Sequence, residues 1–123
     1  MSYAAVAVGG AIGAVARYAV SGLAHGRFGV GFPYGTLLVN TVGCFLLALV
    51  IETAGTRYIV HPGVKLFLTV GVLGGFTTFS TYSYETLSMA RDGMFGLAAL
   101  NAFGSLALGL LGAYAGMVVG RLL

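Results

Sequence analysis

Residues 74–85 read Gly-Gly-Phe-Thr-Thr-Phe-Ser-Thr-Tyr-Ser-Tyr-Glu, and this stretch is the most informative part of the chain. Two glycines, which weaken a helix, are followed by hydroxyls, aromatic rings and a carboxylate. The flanking sequence is apolar enough to lie in a bilayer, where lipid offers an exposed backbone group no hydrogen-bond partner. A helix break at that depth must face protein or a water-filled cavity. The stretch is therefore a candidate ion path.

The composition of the chain predicts an integral membrane protein. Hydrophobic residues make up 59% of the sequence, charged residues only 7%, and the mean hydropathy is +0.99. Each crossing of the hydrocarbon needs about 20 residues, so 123 residues leave room for about four helices. We predict one all-α domain over residues 1–123 with a broken third helix, and spans at roughly 4–24, 35–55, 64–90 and 96–120. The first apolar run is too long for a cleavable signal peptide, so we expect it to stay as a span.

Several residue types that often mark functional sites carry little signal here. Cys44 is the one cysteine and lies in an apolar run, which predicts a packing role. His25 and His61 fall in predicted loops, where a solvated histidine is the common case. The net charge of +3 is dispersed, so no nucleic-acid partner is predicted. We expect no enzymatic activity.

Glycines recur at helical spacing in this chain. Pairs or triplets stand four residues apart and so share one face of a helix, at Gly9 and Gly13, at Gly71 and Gly75, and at Gly112, Gly116 and Gly120. Small residues let helices pack closely in lipid. Four thin helices enclose little volume, and the number of small faces predicts a second copy of the chain.

The basic residues are almost equally divided between the two sides of the membrane. One side carries Arg57, Lys65 and Arg121, and the other carries Arg27 and Arg91. Such a balance gives no preferred orientation. The sequence therefore predicts dual topology and an antiparallel dimer with the third-span breaks near its centre.

Polar residues on the second and third spans are candidate ion ligands. Asn40 is a midspan asparagine, which is costly in lipid and should hydrogen-bond a helix or a permeant ion. Phe79 and Tyr82 are three apart and share a face, and the positive edge of an aromatic ring is a weak ligand for an anion. Hydroxyls cluster beside them, although each can instead bond the carbonyl four residues earlier; they belong to Thr77, Thr78, Ser80, Thr81 and Ser83.

Other polar residues allow two interpretations each. Arg17 either snorkels to the headgroups or attracts anions from a vestibule. Asn101 and Ser105 share a face of the fourth span and serve either helix–helix hydrogen bonding or a polar lining. Glu85 would repel an anion unless neutralised, so it is either a packing anchor or part of a coupled mechanism. A broken turn over residues 74–77 would free carbonyl oxygens, which suit a hard cation such as sodium.

Three segments in order resemble the Fluc fluoride channels, also called the CrcB family. They are residues 9–18 (Gly-Gly-Ala-Ile-Gly-Ala-Val-Ala-Arg-Tyr), residues 35–40 (Gly-Thr-Leu-Leu-Val-Asn) and residues 74–81 (Gly-Gly-Phe-Thr-Thr-Phe-Ser-Thr). The resemblance implies an antiparallel homodimer in the plasma or inner membrane, with two fluoride pores and a structural sodium at its centre. It also implies passive export of fluoride, which relieves fluoride toxicity.

The resemblance also implies roles for individual residues. Gly74 and Thr77 would lend carbonyls to sodium, while Asn40 and Phe79 would contact fluoride. The polar path would include Ser80 and Thr81, and Arg17 matches the first-helix arginine. Tyr82 stands where the family has a second phenylalanine, so a hydroxyl replaces a ring hydrogen. The fourth span offers Asn101 and Ser105 in place of the tyrosine and distal hydroxyls of the family.

Three alternatives to a homodimeric channel stay open from the sequence. The first is a small proton-coupled, dual-topology transporter, although residues 4–24 carry no carboxylate of the kind those transporters use. The second is a non-transporting assembly factor, which would leave the polar third span unexplained. The third is one subunit of a heterodimeric channel, whose paralogous partner supplies the complete aromatic box.

Overall fold

The computed structural model describes residues 2–56 and 59–123 and contains four helical rods long and apolar enough to cross a membrane. The described chain has no strand. The predicted all-α fold with four spans is confirmed, and each rod extends its predicted span by a few residues. Their parts are α1 (Ser2–Phe28), α2 (Tyr34–Thr56), α3 (Pro62–Leu66), a π-helix (Phe67–Leu73), α4 (Gly74–Phe76), α5 (Phe79–Arg91) and α6 (Phe95–Leu122). Arg57, one of the cations counted for topology, lies outside the described residues.

Local chemistry sets where the rods begin and end. The Nδ1 atom of His61 accepts a hydrogen bond from the Gly63 amide at 2.9 Å, so His61 caps α3 just before Pro62. Gly29 and Gly93 both have φ of 83° in the turns after α1 and α5, a conformation that other residues adopt only with strain. These turns reverse the chain between neighbouring rods.

The rods pack as two pairs. α1 lies against the π-helix and α4, while α2 lies against α6, and α5 contacts mainly α6. Glycines let α1 come close to the third rod and let α2 come close to α6. A Cβ added at Gly13 would meet the Val72 carbonyl, and one added at Gly116 would meet the Phe45 carbonyl. The helix backbones are therefore in direct contact in both helix pairs.

The glycine faces are used inside one chain. Gly9 and Gly13 meet the third rod, and Gly116 and Gly120 meet α2. These contacts agree with the prediction that the glycines form packing faces. Because the faces are occupied within one chain, they do not by themselves indicate a second copy. A dimer therefore needs other support.

Candidate functional site

The helical path of the third rod is interrupted at Thr77 and Thr78. Thr77 has φ −93° and ψ 157°, and Thr78 has φ −149° and ψ 121°, so both are extended. The interruption was expected from Gly74 onward, but Gly74–Phe76 is helical. β-branched threonines suit an extended backbone. The glycines instead serve close packing, since a Cβ on Gly75 would lie 2.6 Å from the Gly10 carbonyl oxygen.

Asn40 of α2 holds the extended segment in place. Its Nδ2 donates to the Thr78 carbonyl at 3.0 Å, and its Oδ1 accepts from the Thr78 amide at 2.8 Å. One side chain thus satisfies both backbone groups of Thr78, as a neighbouring strand would. The amide nitrogen carries two hydrogens, so one of them is not used by Thr78, and Asn40 lines the adjoining cleft.

The interruption releases two carbonyls. In a continuous helix the Thr78 amide would bond the Gly74 carbonyl, but it donates to Asn40 instead. The Thr81 amide likewise donates to the Thr78 hydroxyl, at 3.3 Å, rather than to the Thr77 carbonyl. Both Gly74 and Thr77 line the cleft. Neutral oxygens of this kind suit a hard cation such as sodium, so the chemistry of these two residues is compatible with the sodium site that the resemblance implies.

The start of α5 concentrates hydroxyl groups. The Thr78 hydroxyl donates to the Thr81 hydroxyl at 3.1 Å and lies 3.4 Å from that of Ser80. Ser80 and Thr81 are exposed. Because the one Thr78 proton goes to Thr81, Ser80 is the donor in its own contact with Thr78, and the Thr81 proton remains available. The Thr77 hydroxyl is different, because it donates to the Leu73 carbonyl at 3.0 Å. The Thr77 hydroxyl is therefore used within the helix, whereas the Thr81 hydroxyl is not.

The aromatic pair stands beside this hydroxyl cluster. Phe79 and Tyr82 have ring centroids 5.8 Å apart and planes tilted by 48°. Phe79 is 78% exposed, whereas the Tyr82 hydroxyl donates to the Ala102 carbonyl of α6 at 2.7 Å. The two residues share a face, as their spacing predicted, but α6 restrains only one of them.

Asn40 and the ring pair line one cleft of about 640 Å³ between α2, the third rod and α6. Its walls are mostly apolar, and its polar groups gather around the interruption. The cleft contains Asn40, Gly74, Thr77, Thr78, Phe79, Tyr82 and Ser105 among aliphatic side chains such as Leu47, Leu73 and Leu106. Predicted residues from three rods therefore meet in one place.

Four of the predicted pathway residues lie outside the lining of the cleft, namely Arg17, Ser80, Thr81 and Asn101. The Nε of Arg17 donates to the Gly75 carbonyl at 3.0 Å, an oxygen that residue 79 would engage in a continuous helix. A positive charge beside the last carbonyls of α4 is favourable. Asn101 is 1% exposed and bonds Thr86, so it takes the helix–helix role of its two predicted alternatives. Ser105 bonds Asn101 at 3.1 Å and does border the cleft.

Glu85 borders a different cavity. That cavity, of about 370 Å³, also contains His25 and Asp92 near the ends of α1 and α5. One carboxylate oxygen of Glu85 is buried and has no hydrogen-bond partner. Among residues 2–56 and 59–123, no three His, Cys, Asp or Glu side chains form a metal-binding group. A carboxylate-based cation site has no support there.

Some of these contacts do not follow from the sequence. In the sequence Thr78, the residue held by Asn40, is one hydroxyl among five. The Thr77-Thr78 pair was the available signal, because adjacent β-branched residues favour extended backbone. Nothing local indicated that Arg17 would reach Gly75, 58 positions away.

The fold and the cleft define a multi-pass helical membrane protein whose third helix is interrupted at a polar, aromatic-lined site. The family model described as "CrcB-like protein, Camphor Resistance (CrcB)" matches residues 4–117. The chain belongs to the CrcB family.

Curated relatives cover the chain almost from end to end. The protein of Magnetococcus marinus is 48% identical over 123 residues, which is 100% of both chains. That of Geobacter sulfurreducens is 48% identical over 117 residues, covering 95% of this chain and 94% of the relative. One from Thermus thermophilus is 48% identical over 118 residues, covering 96% and 94%. Each is named "Fluoride-specific ion channel FluC".

Proposed function

We propose that this chain forms a fluoride-selective channel that exports cytoplasmic fluoride passively through the plasma or inner membrane and so lowers its toxicity. The observation that carries the proposal is the extended Thr77–Thr78 segment, held by Asn40 beside the exposed ring of Phe79. The names of the curated relatives point to the same ion.

The chemistry of the cleft suits a small, strongly hydrated anion. Fluoride crosses a membrane only if other donors replace its water, and a narrow path rejects larger ions. The second Asn40 hydrogen is a donor at the cleft, and the exposed hydroxyls of Ser80 and Thr81 stand beside the cleft, outside its lining. The edge of Phe79 adds a weak, dehydrated ligand. No chemical step is needed, because the ion moves down its electrochemical gradient.

A structural sodium at the centre of a dimer is part of this proposal. The Gly74 and Thr77 carbonyls would hold it, because their helical partners are engaged elsewhere. A bound cation supplies positive charge that offsets the cost of bringing an anion into a low-dielectric site.

Two copies in opposite orientation would complete the path. In a single chain the cleft is open, and Phe79, Ser80 and Thr81 are exposed. Hydroxyls at membrane depth are costly against lipid, so a protein surface is the expected cover. An antiparallel copy would bring both interruptions to the midplane; a paralogous subunit is the alternative cover.

The decisive experiment is fluoride and chloride efflux from liposomes that contain only the purified chain. We expect fast efflux of fluoride and none of chloride, with Phe79→Ile abolishing it. Phe103→Ile is the matched control, since Phe103 is 72% exposed on α6 but does not line the cleft. Absence of efflux from the wild-type chain would sink the homodimeric channel and favour a paired subunit. Proton-dependent exchange would favour the coupled transporter.

Dual topology is tested by labelling intact cells. In a Cys44→Ala background we introduce Gly31→Cys, at an exposed loop position where an added side chain meets nothing within 4 Å. With balanced flanking charges, a membrane-impermeant maleimide should label about half of the chains from outside. Complete labelling, or none, would contradict the antiparallel arrangement.

A further inference from the structure

The hydroxyl of Tyr82 is tied to the neighbouring helix rather than directed to an ion. It donates its one proton to the Ala102 carbonyl at 2.7 Å. A phenol has a single donor, so this bond leaves none for an anion in the cleft. The hydroxyl therefore has to be explained by what it fixes.

A second set of hydrogen bonds joins the same two helices. The Thr86 hydroxyl donates to the Tyr82 carbonyl at 2.8 Å and accepts from the Asn101 amide at 2.8 Å. The Ser105 hydroxyl donates to the Asn101 carbonyl oxygen at 3.1 Å. Together with the bond from Tyr82 to Ala102, these contacts form the α5–α6 clamp, which consists of Tyr82, Thr86, Asn101, Ala102 and Ser105.

Apart from the Asn40 hydrogen bonds to Thr78 and the Thr78 cap, the beginning of α5 has few contacts that orient it. The interruption at Thr77 and Thr78 separates α5 from the rigid part of the third rod, and Met89 is the one buried residue among residues 79–91, all of which the structure describes. Apolar packing therefore acts near the far end of the helix, whereas the ring pair lies in its first turn. The clamp reaches that first turn through Tyr82. The hydrogen bonds of the clamp are partly buried, and a hydrogen bond is stronger where water is excluded.

We propose that the α5–α6 clamp is a positioning device for the Phe79–Tyr82 ring pair, and that the Tyr82 hydroxyl acts through the placement of the rings rather than as an ion ligand. The flux readout of this inference rests on the proposed fluoride function. With the hydroxyl bonded to Ala102, the Tyr82 ring has a fixed direction, and the Phe79 ring packs 5.8 Å from it. The Tyr82 ring is then held directly, and the Phe79 ring is held only through its contact with Tyr82.

The first test compares two variants that cut the clamp at different distances from the cleft. Tyr82→Phe removes the hydroxyl and keeps the ring, whereas Thr86→Val cuts the clamp at a residue that does not line the cleft. We expect each to lower fluoride efflux per folded dimer by about fivefold or more, the worth of a lost hydrogen bond. The double variant should fall little further, since both changes break one network.

Tyr114→Phe is the control for this comparison. It also removes a tyrosine hydroxyl, but Tyr114 lies on α6 outside the cleft and is 67% exposed. Efflux should therefore stay at the wild-type rate. A loss with Tyr82→Phe but not with Thr86→Val would make the hydroxyl an ion ligand and overturn the proposal. Unchanged efflux in both would overturn it as well.

A second measurement needs no ion transport. Nuclear magnetic resonance of ring-labelled phenylalanine in micelles reports how fast the Phe79 ring flips, with its signals assigned by their loss in Phe79→Ile. We expect faster flipping in Tyr82→Phe and no change in Tyr114→Phe; equal flipping in all three proteins would refute the clamp. If the wild-type chain conducts no fluoride, the proposed function fails while this measurement still decides the positioning role.

Discussion

Asn40→Leu should reduce fluoride efflux by about 100-fold. The leucine leaves the Thr78 amide and carbonyl without the partners that now lie at 2.8 and 3.0 Å. Each unsatisfied buried group costs about 1–3 kcal/mol, and about 3 kcal/mol in total lowers the population of the conducting conformation by about 100-fold. Liposome efflux, normalised to folded protein, measures the effect.

Thr41→Val is the matched control on the same helix. The Thr41 hydroxyl is buried and has no hydrogen-bond partner. Its removal therefore breaks no hydrogen bond and removes the free-energy cost of burying an unpaired polar group. Efflux should stay at the wild-type level, and thermal stability should be unchanged or slightly higher. If Asn40→Leu conducts at the wild-type rate, the extended segment does not depend on the two hydrogen bonds from Asn40 to Thr78.

Gly13→Ala is expected to prevent the first and third rods from packing. The added methyl group would meet the Val72 carbonyl and lie 2.9 Å from the Phe76 amide nitrogen. Both are backbone atoms and cannot rotate away. Overpacking costs about 1–3 kcal/mol even where side chains can adjust, so we expect a larger loss here. Fluorescence-detected size exclusion after heating should show loss of the folded protein well below the wild-type temperature.

The control for Gly13→Ala is Gly10→Ala, less than one turn away on α1. A Cβ at Gly10 meets nothing within 4 Å, so the protein should fold and conduct normally. Arg17 lies one turn beyond Gly13 on the same face, and the close approach lets its Nε reach the Gly75 carbonyl. Equal stability of both alanine variants would contradict the close packing of α1 against the third rod at Gly13.

The class of protein and its spans could be predicted because the signal is local. A run of about 20 apolar residues is enough to define a crossing, and the observed rods extend residues 4–24, 35–55, 64–90 and 96–120 by one to four positions at each end. The shared face of Phe79 and Tyr82 was also predictable, since it follows from helical geometry alone.

The position of the interruption could not be predicted in the same way. Glycine weakens a helix in isolation, yet Gly74 and Gly75 stay helical because α1 packs against this part of the rod. Thr78 is extended because Asn40, 38 positions earlier in the chain, satisfies its backbone. The competing partner comes from another helix, so the local sequence does not contain it.

A four-helix membrane protein with many polar residues on its third span follows from the amino-acid order, because transfer of apolar length into lipid depends on composition alone. Which polar side chains remain free depends on how the helices pack. Asn40 and Arg17 engage the backbone on either side of the interruption, and Tyr82 bonds α6. A donor serves one acceptor at a time, and the acceptors within its reach are set by how the helices pack.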